Sequence, residues 1–486
     1  MRYLTIALFL FPCLLFGQSD DVLKAQFKQT EGNGDYAKHY LLKGEHYFIR
    51  EYHQEDGLKK SIVKVNEFGA DVQSSALFMK PNTVLMQIGQ RLYLHIYEVV
   101  GDNFSSSLIP FTEGLELDEE NTINLFKTSL KDKGRFRKYD GDENGLIYIF
   151  QGPESSQQQI SVVAFDANLK KVLDKKVITP FTRNRFLVGW YLLDNNQNAH
   201  MILRGDPLDL KGKKTKFHVV SVYKDDEEEI YRKIEDNDYS LWSPILELKN
   251  QRLQFIGSWR IKNKGVQKGI YTGSVSTSTD EELKLNIVPF EDRDLLQFRE
   301  GKFPFNTHWL HVLDDGSKVY ILEIRRYYET YIRSLDIIVV KVNVEEEIEW
   351  VKTNPKLYRA ANDRKSIAKP GTFLNGNDIV IVLNENSKEW SNGKYKGSKV
   401  GARSTYPLET KLSVIQIDAN SGDMTRTLVD NTEFGETKVL FTPEYAISIS
   451  PGRIFIPGVR LEYGPAKYMD YAYYMKGISK AIIELD

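Results

Sequence analysis

Cysteine is almost missing from this 486-residue chain, and the one copy, Cys13, lies inside the apolar run Leu4 to Phe16. Arg2, that run, and the small-residue ending Leu15-Phe16-Gly17 have the form of a cleaved secretion signal, too short to span a bilayer. Residues 1–17 are therefore expected to be removed, leaving a mature chain with no thiol, disulfide or cysteine metal ligand. Acylation of Cys13 is the alternative, but Pro12 and Leu14-Leu15-Phe16 fit a lipoprotein signal poorly. No later stretch is apolar enough to cross a membrane, so the expected product is periplasmic or secreted, without membrane insertion. Histidine is also scarce, at eight. His308 and His311 are the one close pair, and on a strand their spacing puts them on opposite faces, where they cannot share an ion. The net charge of -2 argues against a nucleic-acid partner. A Gly-x-Ser-x-Gly elbow, a phosphate loop, a His-Glu-x-x-His helix and a dinucleotide fingerprint are all lacking. So is any stretch that holds a 3.6-residue apolar period over three turns. No cofactor and no metal are expected.

What the chain does have is a repeated phrase, a tight polar turn running into a short apolar strand. It occurs at Lys43-Gly44, Gly89-Gln90, Asn144-Gly145, Asn195 to Asn198, Asn250-Gln251, Asp315-Gly316, Asn375-Gly376 and Pro451-Gly452. Such turns tolerate positive φ and match the twist of a hairpin, so each marks a strand-turn-strand corner. A second β-rich run follows each corner, as in Ile160 to Asp166 or Ile337 to Asn343, giving a unit of at least three strands. Spacing runs from about 45 residues (Gly44 to Gly89) to about 76 (Gly376 to Gly452), the range of propeller blades with loop insertions. With 27 Tyr and 25 Phe, the aromatic supply suits sheets packed face to face. Closure into a ring removes so many strand edges at once. The expectation is an all-β chain, residues 18–486 forming a single eight-bladed β-propeller, with seven blades as the alternative. The last unit ends one strand short at Asp486. Asp21 to Phe27 has the alternation to supply that strand, so the N-terminal strand should close the ring.

A resemblance follows from particular phrases. The leader ending Phe16-Gly17-Gln18, the run Asp336 to Asn343 followed by Ile348-Glu349-Trp350, and the closing Lys480 to Glu484 look like a group of secreted β-propeller-like proteins from Bacteroidetes. That group has no established activity, so the resemblance implies a secreted propeller and no functional residue. A fainter similarity is to the eight-bladed quinoprotein repeat, in which an Asp, a Gly and a Trp close each blade. Here Asp418, Gly422 and Trp350 stand in different copies, so quinone binding is not implied.

Antiparallel alternation sorts the loops onto two rims. Tight turns and the connections after the third strand share one rim, which is acidic through Glu116 to Glu120, Asp225 to Glu229 and Glu345 to Glu347. The longer connections between second and third strands form the other. They carry Lys211, Lys213, Lys214, Arg260, Lys262, Lys264, Arg333, Lys388 to Arg403 and the tyrosine-rich span Tyr463 to Lys476. Solvated insertions commonly contain such residues. The density of rings beside arginine instead suggests recognition. The favoured reading is a non-enzymatic binding or scaffold propeller that engages a glycan, an anionic polymer or an envelope protein. Its proposed contacts are Arg325, Arg326, Tyr327, Tyr328, Trp390, Tyr395, Tyr468 and Tyr471. The alternative is a glycoside hydrolase-like enzyme with paired carboxylates in the central funnel. Asp140 to Gly145 matches the first half of a calcium loop, but Gln151 replaces the twelfth-position Glu, so an Asx-rich hairpin turn is expected instead.

Overall fold

The structure, a computed structural model, describes residues 23–485 apart from 32–33, 55–56, 69, 77–82, 153–158, 180–186, 206–215, 226–228, 237, 250, 262–266, 278–280, 282, 291–304, 328–330, 355–357, 362–368, 387–389, 392–393, 396–409, 431–437 and 467–468. Residues 1–17, expected as a leader, lie outside the described residues.

Four antiparallel strands form each repeat, where the sequence pattern marks at least three, and the fourth, outermost strand follows the second β-rich run. In blade 3 the order is Arg135–Gly141, Gly145–Gln151, Gln159–Asp166 and Lys171–Ile178. Blades 1, 2, 4, 5, 6 and 7 span 34–74, 83–129, 187–234, 239–289, 305–354 and 371–430. Blade 8 takes Ile447–Ser450, Arg453–Ala466 and Met469–Glu484, and completes itself with Leu23–Glu31 from the other end of the chain. That strand pairs antiparallel with the last from Ala25↔Ile483 to Glu31↔Gly477. Its first residues also touch the outer strand of blade 7, Leu23↔Val429 and Lys24↔Asp430. The expected closure is therefore present.

Ring geometry follows from where the apolar side chains go. The second strand of blade 3 is buried along Gly145 to Phe150, with no solvent face. Its Ile147 and Ile149 pack on blade 4, while Leu146, Tyr148 and Phe150 pack on blade 2. A strand of period two thus serves two neighbouring sheets. The same division runs round the molecule, with cores between blades 1 and 2, 2 and 3, 3 and 4, 4 and 5, 5 and 6, 6 and 7, and 7 and 8. Phe48, Val63 and Val65 of blade 1 then meet Ile449, Phe455 and Ile482 of blade 8. Eight sheets with eight shared cores make an eight-bladed propeller, and seven blades are excluded.

Polar groups reinforce these seams. His95 Nε2 lies 2.9 Å from both Ser106 Oγ and Tyr148 OH, joining blades 2 and 3. Trp350 Nε1 donates to the Ala419 carbonyl at 3.3 Å, and the Gly422 backbone lies so close to the indole that a Cβ there would sit 3.0 Å from it. Trp350, Asp418 and Gly422, which the sequence scatters over separate copies, meet across the seam of blades 6 and 7.

Candidate functional site

The first strand of each blade faces the axis, and in blade 3 it is the most exposed of the four. That strand, Arg135–Gly141, has no buried residue. Where blades 1 to 5 converge on the tight-turn side they enclose a cavity of about 1000 Å³. Blade 1 supplies Lys38, His39 and Tyr40, blade 3 Asp140, Asp142 and Glu143, blade 4 Trp190, Tyr191 and Asp194, and blade 5 Glu247 and Lys249.

Bonds between blades hold this wall in place. Tyr40 OH donates to the Leu85 carbonyl at 2.6 Å, and Tyr191 OH to the Tyr139 carbonyl at 2.9 Å. Lys138 Nζ donates to the Val188 carbonyl at 2.8 Å, Asn144 Nδ2 to that of Leu193 at 2.9 Å, and Lys249 Nζ to that of Val312 at 2.7 Å. The rings are thus fixed before any ligand arrives, which lowers the entropy cost of binding. Trp190 keeps 48% of its surface exposed.

The pocket's charges are unusual. Asp142 Oδ1 accepts from the amides of Asn144 and Gly145 at 2.8 and 3.2 Å, the Asx turn expected for this segment. Enclosure by protein nevertheless pushes its carboxyl up to about 6, with Asp140 and Glu143 adding to the shift. Glu247 forms no hydrogen bond or ion pair among the described residues, and burial pushes it up to about 7 despite Lys249 nearby. Burial likewise takes His39, which lies 3.0 Å from His46, down to about 3, so its imidazole is neutral. Burial also raises Tyr40 and Tyr191, and the Asp140 carboxylate adds to both shifts. Carboxyls at Asp140, Asp142, Glu143, Asp194 and Glu247 outnumber the ammonium groups of Lys38 and Lys249.

Behind the wall, Asp194 Oδ2 lies 3.1 Å from His200 Nε2, and His200 Nδ1 lies 2.9 Å from Ser221 Oγ. The order imitates a catalytic triad. Ser221 and His200 are both fully buried, however, and Arg232 donates to the same Ser221 oxygen at 3.1 Å. The group is a brace within blade 4, with no path for a substrate to the hydroxyl.

The residues proposed from sequence fall on the opposite rim, and the structure describes the backbone of six. Arg325, Arg326 and Tyr327 lie in Lys318–Tyr327, Trp390 and Tyr395 pair across a two-residue ladder, and Tyr471 lies in Met469–Glu484. Tyr328 and Tyr468 are outside the described residues, as are Lys211, Lys213, Lys214, Lys262, Lys264, Lys388, Lys396, Lys399, Arg403 and Lys467. Two connections expected as loops are instead continuations of the blade. Blade 6 stays paired out to Tyr327↔Ile332, and blade 8 to Ala466↔Met469. Alternating β-formers such as Tyr471 and Tyr473 extend the ladder where loop composition had been inferred. Among the described residues no group of three or more metal-ligating side chains comes together, and His311 is engaged with Thr372 at 3.1 Å.

The axial wall went unread in the sequence because its members come from separate inner strands, remote from one another along the chain. A signal was available: Tyr40, Asp140, Trp190 and Glu247 each stand a few residues before a tight turn, where a first strand reaches the axis.

No family model and no curated protein matches this chain. Among solved structures it is similar to the β-propeller domain of the Trilobed protease from Pyrococcus furiosus, at 8% identity and a TM-score of 0.39, covering 81% of this chain and 97% of that one. It is also similar to a polysaccharide lyase, at 10% identity and 0.38, covering 94% and 90%. A third is an α-L-arabinofuranosidase from Fusarium graminearum, at 10% identity and 0.32, covering 72% and 92%.

Proposed function

We propose that this chain is an exported propeller that binds a neutral or weakly basic saccharide in the axial pocket of its tight-turn face. The observation that carries the reading is Trp190, half exposed on the wall of a preformed cavity, with Asp140 and Asp142 one blade before it and Glu247 one blade after. A sugar presents an apolar C–H face that stacks on an indole and hydroxyl edges that donate to carboxylates. The excess of carboxyls disfavours a polyanion here, which leaves anionic polymers to the opposite rim. Screening against neutral, amino and sulfated oligosaccharides, followed by calorimetry on the best ligand, tests the proposal. Trp190→Ala should weaken binding at least about tenfold, the scale of losing a buried aromatic anchor. Unchanged affinity would remove the axial site.

Glu247 favours a second reading, hydrolysis of the bound glycoside. A carboxyl pushed up to about 7 retains a proton for a leaving oxygen, while Asp140 and Asp142 offer carboxylates on another blade. Release of reducing ends from the bound oligosaccharide by wild type, and its loss in Glu247→Gln with binding retained, would select this reading. Binding without release would leave recognition alone.

A further inference from the structure

Blade 5 sets Glu247, on the pocket wall, against an acceptor in the strand behind it. Tyr239–Lys249 is the first strand of that blade and Arg252–Ile261 the second, and in their register Glu247 is directly opposite Gln254. Directly opposite residues of antiparallel strands share a face, with Cβ atoms about 5 Å apart. Ile245 and Ile256, two positions from each, lie in the core between blades 5 and 6, so Glu247 and Gln254 belong to the face turned towards blade 6, at the edge of that core. Gln254 Oε1 is buried and accepts no hydrogen bond among the described residues. Glu247 has no hydrogen-bond or ion-pair partner there either, and Lys249 is the one cation that acts on it.

The surrounding charged groups are committed elsewhere. Lys249 Nζ donates to the Val312 carbonyl at 2.7 Å, and Arg252 donates to Ser274 Oγ at 2.8 Å and to Glu281 Oε1 at 3.2 Å. His311 is engaged with Thr372. On blade 6, Lys318 pairs with Glu346, which also accepts from Thr272 Oγ1 at 2.7 Å, and the buried Tyr320 feels the charges of both Glu346 and Glu247. Across the cavity Asp140, Asp142, Glu143 and Asp194 stand against Lys38. An ionised Glu247 would therefore lose water, find no paired cation and face further acids. A neutral carboxyl instead carries one O–H donor, and an unpartnered buried acceptor lies directly across the ladder from it. Burial, which pushes Glu247 up to about 7, acts in the same direction.

We propose that Gln254 is a positioning residue of the axial pocket: its Oε1 accepts a hydrogen bond from the Glu247 O–H inside blade 5, which leaves the carbonyl oxygen of a neutral acid facing the pocket as acceptor for a sugar hydroxyl. The inference rests on the binding reading of that pocket. It narrows the ligand, since a neutral Glu247 favours an uncharged sugar at blade 5 over an ammonium group. It also favours recognition over hydrolysis, because a proton held within the sheet is not offered to a leaving oxygen.

The test follows the carboxyl itself, by NMR titration of the full chain without saccharide, with isotope-labelled glutamate and glutamine side chains and Glu247→Gln identifying the Glu247 signal. The wild-type midpoint should lie near 7, and one near the ordinary 4.5 would overturn the proposal. One glutamine side-chain carbonyl should move with the same midpoint and stop moving in Glu247→Gln; absence of any such signal would also overturn it, whether or not the next variant folds. Gln254→Met, which keeps the volume and removes the acceptor, should lower the Glu247 midpoint by about one pH unit, the scale of one hydrogen bond made to the neutral form. An unchanged midpoint would mean that burial alone holds the proton, and a raised one that the Gln254 amide donates to an ionised Glu247; either result refutes the pairing. Saccharide binding is measured separately: its absence would remove the pocket's function whatever Glu247 does, whereas a failed titration would leave binding through Trp190 standing.

Discussion

Acidification should weaken the seam between blades 2 and 3 through one imidazole. His95 is fully buried, its ring centroid lies 4.5 Å from that of Tyr139, and Nδ1 has no partner. Burial holds its pKa down at about 4. Above the ordinary value near 6.5 the ring is neutral both folded and unfolded, so protonation contributes nothing. As pH falls below that value the unfolded chain binds the proton first, and stability is lost progressively until the folded ring also protonates near 4. At about pH 5 the gap from the ordinary value is roughly 1.5 units at about 1.4 kcal/mol each, a loss of about 2 kcal/mol. Glu247 and Asp142 shift in the opposite direction and gain stability on acidification, so the wild-type curve mixes signs. A difference isolates the histidine. Urea unfolding of wild type and His95→Gln, near pH 7.5 and near pH 5, should show the variant losing about 2 kcal/mol less than wild type between the two conditions. Glutamine keeps a hydrogen-bonding group beside Ser106 and Tyr148 without titrating. Parallel pH dependences in the two proteins would refute the assignment of the acid loss to this site.

Two further outcomes test the architecture. A Cβ on Gly273 would lie 2.0 Å from Phe255 Cζ, where that buried ring covers the glycine directly opposite it in the ladder. Gly273→Ala should therefore cost about 1–3 kcal/mol by overpacking, partly recovered by adding Phe255→Leu, and both effects can be read by thermal melting. Removing residues up to Glu31 leaves the last strand of blade 8 without its outer neighbour. The melting temperature should fall, and a synthetic peptide of the Leu23 to Glu31 sequence should restore it in trans; an unchanged melting temperature would contradict closure by this strand.

The sequence shows the corners of the fold far better than its edges. Gly44, Gly316, Gly376 and Gly452 adopt the positive φ that their turn motifs imply. Gln197 and Gln251 adopt it too, without glycine, so those corners are visible only through their spacing. Second and third strands announce themselves because both faces are buried. Outer strands such as Lys171–Ile178 alternate exposed and buried residues under a lysine-rich composition, and they read as loop. Inner strands fail for another reason. Some, such as Arg135–Gly141, carry too few apolar residues to betray a strand, and the pocket assembles from positions as remote as Lys38 and Glu247.

Because Ala25 sits beside Ile483, the first strand of the ring to be synthesised must wait for nearly the last. Until that moment the molecule is an open arc with one unpaired edge, vulnerable to joining a second copy instead of itself. Pairing at such separation makes this a slow step by topology. The rate at which the arc shuts, rather than the formation of any single sheet, then governs how much of the product escapes aggregation.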